Sequence, residues 1–121
     1  MQRRLILATL LLAPSWALAH EPRVGPHGGV LVDAGPFHVE ITATGANLEV
    51  FVSDAQDKPL PASGFKGTAV LVMNGKPHRV ALEATRPDRL TGQAAVAKGA
   101  PLKGVILLTS PDGKTANAKL E

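Results

Sequence analysis

The chain has 121 residues, no cysteine, four histidines and a formal charge of +3. That length holds one domain, and the lack of cysteine excludes a disulfide framework, thiolate metal sites, a cysteine nucleophile and a lipidated cysteine anchor. With 3% aromatic residues and no tyrosine, the chain also lacks the stacking platforms of single-strand nucleic-acid binders.

Residues 1–19 read as a cleaved signal peptide. Arg3 and Arg4 precede an apolar run that ends in Ala17-Leu18-Ala19, a small-x-small cleavage pattern. Pro14 interrupts the run, and it is shorter than the roughly 20 residues that span a bilayer, which disfavours an uncleaved anchor. The leucine-rich run favours general secretion over the twin-arginine route. Cleavage removes Arg3, Arg4 and the only tryptophan, Trp16. Basic and acidic residues then nearly balance. No basic run follows a phosphate backbone, and no tryptophan or tyrosine is left to anchor a membrane interface. The expected product is a soluble periplasmic protein that starts at His20, with no nucleic-acid partner and no membrane anchor.

Residues 20–30 open as HEPRVGPHGG, where prolines and glycines work against helix and central strand alike. A flexible His/Gly/Pro arm is expected there, followed by a β domain over residues 31–121. Phe37, Val39 and Ile41 alternate with His38, Glu40 and Thr42, and Leu48, Val50 and Val52 with Glu49, Phe51 and Ser53. Period two predicts half-buried strands. Further strands are predicted over Thr68–Met73, Pro77–Ala84, Leu90–Ala97, Leu102–Thr109 and Thr115–Leu120, each bounded by turn residues. Asn74-Gly75 predicts a type I′ hairpin, and Pro111-Asp112-Gly113-Lys114 a type I turn closed by a left-handed glycine. Asp54–Gly64 is the longest predicted loop. No window carries sustained helical periodicity. The fold class is therefore all-β, a single small antiparallel β-sandwich or barrel of seven to eight strands.

Candidate chemistry gathers at the histidines, three of which, His20, His27 and His38, lie within the first nineteen residues after the predicted cut. Cleavage after Ala19 gives His20 a free α-amine, whose ordinary pKa of about 7.7 to 8.0 makes it a cheap metal ligand near neutral pH. Amine and imidazole close one chelate ring, and a second imidazole from His27 or His38 completes a three-nitrogen histidine brace. Copper(II) binds such nitrogen sites most strongly among first-row divalent ions, with zinc or another divalent transition metal as the alternative. Pro22 rules out the amino-terminal copper motif that needs histidine at mature position three. His38 and Glu40 share one strand face, so Glu40 is either a weak ligand or the acceptor that orients an imidazole N–H. Against this stand plainer readings: a histidine exposed by chance in a tail, a solvated loop histidine at 27, and a polar solvent face at 38 and 40. His78 is expected to be a surface residue, and Glu21 and Asp33 are optional oxygen donors.

Catalysis finds little support. Ser53, Ser63 and Ser110 have no nucleophile elbow and no assignable base, so the chain is expected not to be an enzyme. The stretch from Gly25 to Val72, in which His27-Gly28-Gly29 is followed by Gly35, Phe37 and Glu40 and then by LEVFVSDAQDKPL, resembles the start of periplasmic adaptor subunits of heavy-metal efflux pumps. It is similar to small periplasmic proteins associated with heavy-metal, copper-type resistance. The resemblance implies a β-rich domain, metal capture or delivery to a pump component, and a role for His27, His38 and Glu40. It also implies copper, silver, zinc or cobalt as the metal. The helical hairpin and lipoyl-like parts of the adaptors have no counterpart in this sequence. The opening histidine is also similar to that of small periplasmic copper carriers with an immunoglobulin-like fold. The expectation is a periplasmic metal-binding protein, with copper(II) as the favoured ion. The rival is a metal-free β module that docks to an envelope efflux complex.

Overall fold

The computed structural model describes residues 23–97 and 100–120, and these residues form strands, turns and loops with no helix. The predicted signal peptide, His20 and Glu21 lie outside the described residues. In chain order the strands are β1 (Arg23–Val24), β2 (Val30–Ala34), β3 (Phe37–Thr44), β4 (Asn47–Ser53), β5 (Lys66–Met73), β6 (Lys76–Arg86), β7 (Arg89–Gln93), β8 (Gly104–Thr109) and β9 (Thr115–Leu120). They pair in the order β1-β2-β3-β4-β7-β6-β5-β8-β9, and β9 returns to β2. All pairings are antiparallel. The result is a closed eight-stranded barrel with β1 as one extra short strand on β2. Closure removes the exposed edges that an open sandwich would have to protect, and it decides the choice between sandwich and barrel.

Alternation builds the interior. Val39, Ile41, Leu48, Val50, Leu71, Leu82, Leu90, Ile106 and Leu108 are fully buried, and their outward neighbours on the same strands point to the other face. Phe65 joins this core, and its ring meets that of Phe37 edge to face at 5.4 Å and 83°. The hairpin signals hold: Asn74 and Gly75 both have positive φ, 52° and 73°, as a type I′ turn requires. At Gly113 φ is 83°, and Ser110 and Lys114 close that turn through a 2.9 Å backbone bond.

Two strands lie where alternation is silent. β2 is a nearly unbroken apolar run, Val30-Leu31-Val32, because both of its faces are partly covered; such a run has no period of two to detect. β1 follows Pro22 and pairs Arg23 with Leu31 and Val24 with Val30. The part of the expected arm that is described is thus β1, paired along the edge of β2, and the turn that follows it. β7 stops at Gln93 rather than Ala97: the Ala94 N–H makes one last rung in the same register, to the Ala46 carbonyl at 2.9 Å, and the partner chain turns at Gly45, where φ is 60°.

β1 and β9 share one edge of β2, end to end. Ala34 pairs with Ala118, and that register carries Leu120 to a position beside Val32. The neighbouring positions, Leu31 and Val30, are taken by Arg23 and Val24. Both strands run antiparallel to β2, so β1 continues the line on which β9 ends.

Candidate functional site: a buried carboxylate beneath the glycine turn

Glu40 faces away from the barrel interior, between the inward Val39 and Ile41, yet it is only 2% exposed. Its cover is the turn Gly25–Gly29 that joins β1 to β2. Within that turn the Gly28 N–H donates to the Gly25 carbonyl at 3.0 Å, and the Gly25 N–H to the Gly29 carbonyl at 2.9 Å. The Glu40 carboxylate holds the turn down: Oε2 accepts the N–H groups of His27 and Gly29, each at 2.8 Å. Oε1 lies 2.7 Å from Nδ1 of the His27 ring. Three donors on one buried carboxylate offset the cost of removing its charge from water.

The glycines are required for that approach. A Cβ on Gly25 would stand 2.3 Å from the Glu40 carboxyl carbon, and one on Gly29 would stand 2.3 Å from the Ile41 carbonyl oxygen. Pro26 fixes the chain direction between them. The GPHGG sequence is therefore the lid of a carboxylate site as well as a turn.

The His27 ring is fixed on a second side. It stacks on Phe51, with ring centroids 3.7 Å apart and planes inclined by 8°, and Phe51 lies directly across the β3–β4 ladder from Glu40. The Arg89 guanidinium sits 4.9 Å from the Phe51 centroid and pairs with Glu49 and Asp88. Hydrogen bonds from Arg89 hold the Asp88 carboxyl below its ordinary range, and the same carboxylates push the Arg89 pKa up. A carboxylate only accepts, so Nδ1 donates to Glu40 and the lone pair of the neutral ring is on Nε2. The ring is about half exposed.

His38 is used differently. Its Nδ1 lies 2.6 Å from Oδ1 of Asp57 and its Nε2 lies 3.3 Å from Oδ1 of Asp33, which also meets Arg23 at 3.1 Å. Asp57 belongs to the long loop, whose turn is tied by Asp54 Oδ1 accepting the Gln56 and Lys58 N–H groups at 2.9 Å. His38 thus fastens that loop to β3, and its ring nitrogens meet Asp57 and Asp33 rather than His27 or Glu40. His78, on β6 opposite Leu71, is exposed.

Of the sequence candidates, the structure brings together His27 and Glu40 and sets His38 apart, while His20 lies outside the described residues. Among the described residues no group of three or more histidine and carboxylate side chains is placed to hold a metal ion. Phe51, Asp57 and Arg89 were missed by sequence reasoning. Phe51 had a signal: it is a large aromatic at an outward position between Val50 and Val52, which implies that something covers it. No family model, curated protein or solved structure matches the chain.

Proposed function

We propose that the protein is an exported, periplasmic metal-binding protein that takes up copper(II) and delivers or sequesters it, without catalytic turnover. The observation that carries this reading is the His27 ring, held through Nδ1 by a buried carboxylate and stacked on Phe51, with Nε2 free of any partner among the described residues. Carboxylate–imidazole–metal arrangements use this geometry to fix the tautomer and raise ligand basicity. In this reading Glu40 orients the ligand and does not bind metal, since its oxygens already accept three hydrogen bonds. His38 is a loop clamp.

One imidazole is not a site, and the donor set fits copper only with further nitrogens. His20 supplies them here: after cleavage behind Ala19 it carries an amine and an imidazole, and three residues of chain keep it within about 10 Å of Arg23. Zinc is the competing ion, and a heavy-metal efflux component is the proposed recipient.

The test uses protein exported by its own signal, weighed intact with copper(II) and zinc(II) offered together. One copper on a chain that begins at His20 is expected. His27→Ala should abolish retention, Glu40→Gln should lower affinity about 10- to 100-fold, and His38→Ala should leave it nearly unchanged. Affinity should fall with pH as protons compete for imidazole and amine. Unchanged copper affinity in His27→Ala would sink the reading, and a chain that begins at His20 but retains no metal would leave the metal-free docking module in its place.

A further inference from the structure

The side of the barrel diametrically opposite β3 and β4 is built by β5 and β8, with β6 and β9 flanking them. Ala69, Leu71, Ile106 and Leu108 point inward, so Lys66, Thr68, Val70 and Val72 of β5 and Val105 and Leu107 of β8 point outward. Register places Arg79, Val70 and Val105 in one row and Thr68 and Leu107 in the next. Val72 and Leu107 are 44% and 37% exposed, two of the three most exposed large apolar side chains among the described residues. Lys66, Arg79 and Lys103 are exposed around this aliphatic stripe, and none of them forms an ion pair with a described residue. Glu83, opposite Lys66, is the one acidic side chain in these rows.

We propose that this face docks a short acidic, amphipathic segment of a partner protein, with aliphatic side chains on Val70, Val72, Val105 and Leu107 and carboxylates on Lys66, Arg79 and Lys103. Three observations choose this occupant. Four strands about 4.8 Å apart and roughly six residues long give a face of about 14 by 20 Å, or roughly 300 Å², which suits a short segment and falls well below the ~800 Å² per partner of a stable interface. The face has no aromatic side chain, the usual anchor at a lipid interface; the phenylalanines lie elsewhere, at positions 37, 51 and 65. A second copy of the chain is a poor fit, because the acidic groups of the opposite side are already engaged: Asp33 and Asp57 by His38, Glu49 and Asp88 by Arg89.

The test is an amide NMR titration of the mature protein with a soluble synthetic peptide of mixed glutamate and leucine, beside oligo-glutamate of equal length and phosphatidylglycerol vesicles. Shift changes should be confined to β5, β8 and their flanking rows. Val72→Asp and the double variant Arg79→Glu/Lys103→Glu should each weaken peptide binding at least about tenfold with melting temperatures unchanged, and oligo-glutamate should bind about tenfold more weakly and be lost in high salt. Binding elsewhere, equal binding of oligo-glutamate, or preference for the vesicles would overturn the proposal. Copper retention in these variants should stay at the wild-type level.

Discussion

At Gly25 a single methyl group decides whether the turn can reach Glu40. Gly25→Ala places Cβ against the carboxylate and should cost about 1–3 kcal/mol through overpacking. Glu40→Ala should cost a similar amount, because the His27 and Gly29 N–H groups lose their acceptor. The two costs are not independent. Glu40→Ala removes the three atoms nearest the new methyl, so Gly25→Ala in the Glu40→Ala background should cost far less, a coupling readable by denaturant unfolding of all four proteins. This residue-level logic was only half legible. Gly25, Gly28 and Gly29 announce a turn by their type, but Glu40 alternates with Val39 and Ile41 as any solvent-facing carboxylate would, and only the returning chain buries it. Asp112 adds a pH signature. The Ser110 hydroxyl, then the Lys114 backbone and charge, hold its carboxyl below the ordinary value. A lowered folded pKa stabilises above the unfolded value of about 3.9 and is lost as pH falls through the folded one. Wild type should therefore melt above Asp112→Asn at neutral pH, with the gap closing in strong acid.

Among the elements, legibility followed how local the cause was. β3 and β4 were visible because each buries one face and leaves the other polar, and the Asn74-Gly75 and Gly113 turns because they depend on backbone signs that few residues tolerate. β2 escaped because Val30, Leu31 and Val32 are partly buried on both faces, and a continuous apolar run carries no period of two. β7 was drawn too long because the alanines after Gln93 have no pattern of their own to end it. β7 is also the short stave between β4 and the eleven-residue β6, which changes register between Glu83 and Arg86. Leu90 is its fully buried anchor. Leu90→Ala should cost about 2–5 kcal/mol, seen as a lower denaturant midpoint with an unchanged slope.

Across the whole molecule, closure rests on a junction that no sequence window contains: β2 and β9 meet through Ala34 and Ala118, small residues from opposite ends of the chain. Alternation specifies faces and is blind to which strand becomes whose neighbour, so it fits sandwich and barrel alike, and only the β2–β9 pairing separates them. The charge plan emerges only at this scale too. One side gathers carboxylates and engages them with Arg23, Arg89, His27 and His38, while the far side keeps Lys66, Arg79 and Lys103 around its aliphatic stripe without an ion pair to any described residue. The shared edge of β2 has one more consequence. Because β1 begins where β9 stops and runs the same way, the fold is topologically a ring in which the chain has a single cut. Joining Leu120 directly to Arg23 and reopening the chain between Asn74 and Gly75 should give a circular permutant whose first and last strands fuse into one continuous stave. Cooperative unfolding of that permutant within about 2 kcal/mol of the parent is expected, and a molten product would show that the two strands are not collinear.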